Sequence, residues 1–123
     1  MEWNKGDILW GEGADAEHPI IFLSDYSMDH FLGAMITHGK NEKYEENILM
    51  SKEHFEIVDD SKTRYGIQFK DTHLVNVRLL KKLEWAPFTK DGQLTAEGVS
   101  FVETNLKNKD PILWEQHIIS RAK

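Results

Sequence analysis

The sequence lacks cysteine altogether, and its 123 residues include only 3 prolines and 8 glycines. Without cysteine there is no disulfide framework, no thiol nucleophile and no zinc site with cysteine ligands, and nothing opposes a reducing compartment. Apolar runs such as 20–23 and 48–50 are far shorter than the roughly 20 residues that span a bilayer. No secretory apolar region follows Met1. We therefore expect a cytoplasmic protein without a membrane partner, and the length predicts one domain over residues 1–123.

The signature motifs of several enzyme classes are also missing. The sequence contains no Gly-x-x-x-x-Gly-Lys-Ser/Thr phosphate loop, no dinucleotide-binding glycine motif, no Gly-x-Ser-x-Gly elbow and no His-Glu-x-x-His. Its six histidines are never closer than eight residues, so no two of them can chelate a metal from one helical turn. We expect no metal and no cofactor. A composite metal site, such as His54 with Asp59 or Asp60, is kept as an alternative.

Charge is distributed unevenly along the chain, whose formal net charge is −6. Residues 1–60 hold 14 acidic and 4 basic side chains, whereas residues 61–123 hold 7 acidic and 11 basic ones. Net acidity disfavours a nucleic-acid partner, which usually meets a basic surface. The basic second half can still receive an anion or a phosphate backbone, unless the two sets of charges interleave on one mixed surface.

Short apolar runs rich in branched and aromatic residues alternate with polar turns, a pattern typical of a small β-rich domain. The clearest predicted strand is Tyr65–Phe69, where apolar side chains alternate with Gly66 and Gln68 at the period of a strand. Residues 59–62 are predicted to form a hairpin turn. The other predicted strands are Ile8–Trp10, Ile20–Leu23, Gly33–Thr37, Asn47–Met50, Glu53–Val58 and Leu74–Leu79.

The end of the chain is predicted to be helical from about residue 95. Pro87 and a turn over 89–92 end the strand region, and Thr95 suits the N-cap of a helix with apolar residues at helical spacing. Asp110 and Pro111 suit the cap and first position of a second helix. The predicted fold class is therefore mainly β with C-terminal helices.

One strand end carries two groups that suit acid–base or phosphate chemistry. Thr37 and His38 close the apolar run that begins at Gly33, and a sheet edge would hold their hydroxyl and imidazole rigidly. Threonine is also common in strands and His38 begins a polar connection, so a purely structural role stays open.

Several short motifs occur in an order that resembles the MazF/PemK family of growth-inhibiting toxins. Along residues 5 to 106 they are Lys5–Ile8, His18–Ser24, Gly33–His38, Thr72–Val75, Leu80–Leu83 and Gly92–Gly98. The resemblance implies a small SH3-like β-barrel with a C-terminal helix, a homodimer, and metal-independent cleavage of single-stranded messenger RNA. It also implies an antitoxin protein that covers the active groove.

The resemblance implies a catalytic set as well. The arginine that begins one family strand is His18 here, and the serine that follows the family's threonine is His38 here, next to Thr37. A histidine can act as a cation or as an acid–base group near neutral pH, so these replacements permit the chemistry. The family's later basic residue falls at Lys81, or at Arg78 in a register shifted by three residues.

These residues define a predicted mechanism for RNA cleavage. His18 and His38 would carry protons, Arg78 would stabilise the charged phosphate, and Thr37 would bind a phosphate oxygen. The residues expected to bind substrate are Lys81, Lys82 and Trp10. The indole of Trp10 would stack on an unpaired base, unless it belongs to the core, where aromatic side chains are common. The alternative is a noncatalytic module of the same fold whose groove binds a peptide or protein partner, which the net acidity favours.

Overall fold

The computed structural model describes residues 3–10, 18–38, 47–82, 88–106 and 110–121. In chain order its elements are β1 Asp7–Trp10, β2 Ile20–Asp25, β3 His30–His38, β4 Ile48–Leu49, β5 Thr72–Leu74, β6 Leu79–Lys82, β7 Thr89–Gln93, α1 Ala96–Asn105, β8 Ile112–Leu113 and α2 Trp114–Arg121. A short 3-10 turn, Lys52–His54, follows β4. None of the helices formed by these residues has the length and apolarity needed to cross a membrane.

The strands form a mainly antiparallel sheet with β3 at its centre. The order is β4-β5-β3-β2-β1-β7, and each pairing along it is antiparallel. One edge of β3 pairs with β2, whereas the other edge pairs with β6 along its first residues and with β5 along its last. β8 adds a short parallel pairing to β6. Among the described strands the sheet is not closed, because no pairing joins β4 to β7.

Alternation along β3 divides the core into two clusters, because successive side chains of a strand point to opposite faces. The α1 cluster comprises Ile8, Ile21, Leu23, Ala34, Ile36, Met50, Phe55, Ile67, Leu74, Leu94, Val102 and Leu106. The α2 cluster comprises Leu9, Ile20, Phe22, Phe31, Met35, Val75, Leu79, Phe88 and Trp114. Each face of the sheet thus buries apolar surface against one of the two helices.

The structure confirms strands at 8–10, 20–23 and 33–37, and it extends the last two of them to Asp25 and His38. Helix α1 begins where its cap predicts, since the Thr95 side chain accepts a hydrogen bond from the Gly98 N–H at 3.1 Å. The hairpin turn at 59–62 is also confirmed by a 2.9 Å bond from the N–H of its last residue to the carbonyl oxygen of its first.

The two predicted strands Glu53–Val58 and Tyr65–Phe69 are wrong. The first begins in the 3-10 turn and reaches the end of β7 through a bridge between Phe55 and Leu94 and a bond from the Glu56 N–H to the Gln93 carbonyl oxygen. The second reaches β7 through a bond from the Ile67 N–H to the Asp91 carbonyl oxygen at 2.8 Å. In the second, side chains take the place of a ladder: the Gln68 amide donates to three carbonyl oxygens, and Asp91 accepts from the Gly66 N–H at 3.1 Å. These side-chain bonds take the place of a continuous strand pairing.

Three further predictions near the C-terminus also need correction. The predicted strand Leu74–Leu79 is two strands, because β5 ends at Leu74 and β6 begins at Leu79. The predicted turn at 89–92 lies in β7, which pairs with β1. Asp110 and Pro111 do not start a helix, since β8 pairs with β6 before α2 begins at Trp114. In the last two cases a strand partner overrides the local turn or cap signal.

An ion pair between buried Asp7 and partly buried Lys90 joins β1 to β7. Asp7 is 3% exposed, and its carboxylate accepts from the Asn4 N–H at 2.9 Å and lies 3.1 Å from the Lys90 ammonium. Lys90 also donates to the Gln93 side chain at 2.7 Å, which accepts from the Tyr65 hydroxyl at 3.2 Å. Burial lowers the pKa of Lys90, but the hydrogen bond and charge of Asp7, helped by Tyr65, outweigh it and raise that pKa above its ordinary value.

Lys90→Met leaves the Asp7 carboxylate buried without its cation, so we expect the free energy of unfolding to fall by about 3 kcal/mol. The matched control is Lys5→Met, whose ion pair with Glu103 is half-exposed on both sides and is worth about 0.5 kcal/mol or less. Urea denaturation at pH 7 measures both changes. Equal losses in the two variants would contradict a stabilising role for the ion pair between Asp7 and Lys90.

The stability difference between the parent and Lys90→Met depends on pH because the pKa of Lys90 is raised in the folded protein. The stabilisation is complete below the unfolded-state lysine pKa of about 10.4. It is lost as the pH rises through the higher folded-state value. The parent and Lys90→Met should therefore approach each other in stability only in strongly alkaline buffer.

Candidate functional site

The end of β3 brings Thr37 beside a histidine that the sequence motifs did not single out. Thr37 pairs with His73 of β5, and residues directly opposite each other in an antiparallel pair have Cβ atoms about 5 Å apart on one face. Leu49 of β4 pairs with His73 on the other edge of β5, and Leu49 is 54% exposed. The hydroxyl of Thr37 and the imidazole of His73 are therefore neighbours on the sheet face that carries the α2 cluster.

The chain segment before β2 approaches the end of β3 from the other side of Thr37. The Ile36 N–H donates to the Pro19 carbonyl oxygen at 3.2 Å, which continues the register between β2 and β3 beyond the first residue of β2. His18 lies in a bend just before β2, and this register continued by one further step would place it opposite Thr37. We call His18, Thr37 and His73 the histidine row. His18 and Thr37 are both half-buried.

The turn before β5 holds the His73 ring in place. His73 is 4% exposed, and its Nδ1 lies 2.9 Å from the carbonyl oxygen of Asp71. Asp71 has a φ of 49°, in the left-handed region, and the Lys70 N–H donates to the Thr72 hydroxyl at 3.0 Å. The ring is therefore anchored to its own chain segment two residues upstream.

The structure places Thr37 and His38 on opposite faces of the sheet. Thr37 lies in the histidine row, whereas His38 pairs with Thr72 and turns its side chain the other way, as adjacent strand residues do. His38 is exposed, and its Nδ1 lies 3.2 Å from the Lys70 carbonyl oxygen. The two side chains do not approach a ligand from one face.

His38 instead shares a cleft with Trp10. The cleft has a volume of about 260 Å³ and is also lined by Gly66, Ile67, Gln68, Phe69, Lys70 and Asp91. Trp10 is half-buried at the end of β1 and packs against the α1 cluster. The cleft therefore opens on the α1 side of the sheet, behind the histidine row.

The two lysines that were expected to bind substrate lie near the opposite end of β3. Lys82 pairs with His30, and Lys81 pairs with Phe31. Phe31 and Thr37 are six positions apart in β3, which corresponds to about 20 Å along an extended strand. Lys81 and Lys82 are therefore not brought together with the histidine row.

Both lysines contact helix α2. Lys81 is 2% exposed, and its ammonium lies 4.1 Å from the centroid of the Trp114 ring. Lys82 lies 3.6 Å from the Glu115 carboxylate. These contacts attach α2 to β6 through a cation–π interaction and an ion pair.

Arg78 lies closer to the histidine row than the two lysines do. It directly precedes β6, whose first residue pairs with Gly33. Gly33 is four residues from Thr37, or about 13 Å along the strand. The Arg78 carbonyl oxygen accepts a hydrogen bond from the Ile112 N–H at 3.1 Å.

Within the described ranges, no three His, Asp or Glu side chains are grouped so that they could hold a metal ion. The composite site considered above uses residues that bond to the backbone. His54 Nδ1 accepts from the Ser51 N–H at 3.1 Å, and Asp59 accepts from the N–H groups of Ser61 and Thr63 at 2.8 and 2.9 Å. His54 and Asp59 thereby shape the 3-10 turn and the hairpin turn, respectively.

The exposure of the three histidines near the end of β3 can be tested with diethyl pyrocarbonate, which modifies accessible imidazole nitrogens. We expect His38 to react fastest, His18 more slowly and His73 slowest, because they are exposed, half-buried and buried, respectively. Peptide mapping by mass spectrometry over time gives the three rates. If His73 reacts as fast as His38, the placement of His73 is contradicted.

The chain matches no family model, and no curated protein shows significant sequence similarity to it. The resemblance to the MazF/PemK toxins is therefore supported only by short sequence motifs. The histidine row is derived from the strand pairing alone.

Proposed function

We propose that this protein is a MazF/PemK-like endoribonuclease that cleaves single-stranded RNA without a metal, with the histidine row as its catalytic centre. One observation carries the proposal: Thr37 pairs with His73 on one face of the sheet, and the register of β2 continued beyond Pro19 brings His18 to the other side of that hydroxyl. Cleavage of RNA by its own 2′-hydroxyl needs two proton carriers and a group that stabilises the phosphate. His18, His73 and Thr37 are side chains of these kinds.

In the proposed reaction the 2′-oxygen attacks the adjacent phosphorus while one histidine takes the hydroxyl proton. The bond from phosphorus to the 5′-oxygen breaks, and the other histidine donates a proton to that oxygen. The products are a 2′,3′-cyclic phosphate and a 5′-hydroxyl, so one proton enters the protein and one leaves it. The Thr37 hydroxyl donates a hydrogen bond to a non-bridging phosphate oxygen.

We propose a binding role for Trp10 and His38, which line the cleft on the face of the sheet opposite the row. RNA bound at the row would reach this cleft by passing around the end of β3, since Thr37 and His38 point to opposite faces. Aromatic rings bind unpaired bases by stacking, without regard to sequence. We assign His38 to substrate binding, and the catalytic role expected for it from the sequence passes to His73.

We further propose that the sheet is rolled as in an SH3-like barrel. A bridge between Phe55 and Leu94 and a 2.8 Å bond from the Glu56 N–H to the Gln93 carbonyl oxygen link the chain after β4 to the end of β7. These bonds support closure between the two ends of the strand order. The homodimer and the antitoxin partner remain predictions of the family resemblance.

A noncatalytic interaction module is the second candidate function, and one observation favours it. A groove of about 690 Å³ is lined by Lys52, Glu53, Phe55, Glu56, Ile57, Val58, Arg64, Gln68, Phe69 and Thr95. Ile57 and Val58 are 58% and 44% exposed. Exposed apolar side chains in a groove are typical of surfaces that bind a protein or peptide.

The endoribonuclease proposal predicts that the purified protein cuts an unstructured RNA in the presence of EDTA. His73→Ala should lower the rate by about a hundredfold or more, since a positioned acid–base group contributes that much. His30→Ala is the matched control, because His30 lies at the far end of β3, and it should retain the parent rate. Absence of cleavage by the parent, or equal rates for both variants, would sink the proposal.

Growth of a bacterial host separates the two candidate functions. An endoribonuclease should arrest growth on overexpression, and Thr37→Val should relieve the arrest because it removes the hydroxyl and keeps the shape. Thr63→Val, in the exposed hairpin turn, is the matched control and should still arrest growth. An arrest that survives Thr37→Val would instead support the interaction module.

A further inference from the structure

We propose that Asp71 is a positioning residue that fixes His73 with its proton on Nδ1 and so makes His73 the general base of the histidine row. The tautomer can be measured on the protein alone, and only its catalytic consequence rests on the proposed function. His73 is thereby assigned the base role and His18 the acid role, which the positions of the two histidines in the row do not distinguish.

The tautomer follows from the partner of His73 Nδ1. A carbonyl oxygen can only accept a hydrogen bond, so the 2.9 Å contact with the Asp71 oxygen requires the proton to be on Nδ1. Neutral imidazole carries one N–H, which leaves Nε2 with a free lone pair. His73 is 4% exposed, so bulk water has little access to compete for Nδ1. In this state Nε2 is ready to accept a proton.

The backbone of Asp71 places this carbonyl. Its φ of 49° lies in the left-handed region, which Asp, Asn and Gly adopt more readily than other residues do. The Thr72 hydroxyl, which accepts from the Lys70 N–H at 3.0 Å, holds the same turn from the other side. The residue type at position 71 thus matters through the conformation it permits, and its carboxylate is not the group that touches His73.

The role of His18 follows from that of His73. If the buried ring takes the 2′-hydroxyl proton, the half-buried His18 on the other side of Thr37 must protonate the 5′-oxygen. Attack and departure in line through phosphorus need the base and the acid on opposite sides of the phosphate. The order of the row, with Thr37 between the two histidines, meets this requirement.

The first test is an NMR measurement of the imidazole nitrogens in the ¹⁵N-histidine-labelled parent protein. We expect the His73 signals of a ring protonated on Nδ1, with Nε2 in its unprotonated form. Signals of a ring protonated on Nε2 would overturn the inference, whatever the protein does to RNA.

The second test compares substitutions at position 71 in RNA cleavage. We expect Asp71→Asn and Asp71→Gly to keep the tautomer and the parent rate, and Asp71→Val, which disfavours a positive φ, to lose both, with a rate at least about tenfold lower. Lys62→Val is the matched control, since Lys62 has a φ of 63° in the distant hairpin turn and the change strains the backbone similarly.

The outcomes distinguish the two levels of the proposal. The expected tautomer in a parent that cuts no RNA would refute the endoribonuclease and leave the role of Asp71 in fixing the ring intact. A cleaving parent in which Asp71→Asn is as impaired as Asp71→Val would refute the positioning role, because the carboxylate would then be the group that matters. If Asp71→Val does not fold, the tautomer measured in the parent and the cleavage rates of Asp71→Asn and Asp71→Gly still test the positioning role of Asp71.

Discussion

The hydrogen bonding of β3 along both of its edges is the constraint on which the rest of the structure depends. This nine-residue strand pairs with β2 on one side and with β6 and then β5 on the other. Its alternation sorts the apolar side chains into the α1 and α2 clusters. The same alternation turns Thr37 toward one face and His38 toward the other, so the pairing that builds the core also determines which groups meet at the site.

Local signals in the sequence predicted the elements that depend on local physics. The Thr95 cap and the short apolar runs of β1, β2 and β3 are examples. Elements that depend on distant partners escaped prediction. The sequence of β7 is typical of a turn, yet β1 pairs with it. Residues 65–69 alternate as a strand does, yet the side chains of Gln68 and Asp91 bond to their backbone where a strand ladder was expected. His73 was missed because its proximity to Thr37 is a matter of register, which no local motif encodes.

The structure also changes the meaning of the basic second half of the sequence. Lys81 lies over Trp114, Lys82 pairs with Glu115, and Lys90 pairs with buried Asp7. These cations hold elements together, so the charge excess of residues 61–123 does not by itself describe a surface for a phosphate backbone. In the proposed enzyme the positive charge at the reacting phosphate comes from the histidine that acts as general acid.

The identity of the RNA ends tests most directly whether the histidine row promotes attack by the 2′-hydroxyl. A short single-stranded RNA would be incubated with the protein in EDTA, and the products would be analysed by mass spectrometry. The account predicts fragments that end in a 2′,3′-cyclic phosphate and begin with a 5′-hydroxyl, and an uncut substrate when the ribose at the cleavage site lacks its 2′-hydroxyl. Fragments with 3′-hydroxyl and 5′-phosphate ends, or cleavage of the deoxy-substituted strand, would contradict it.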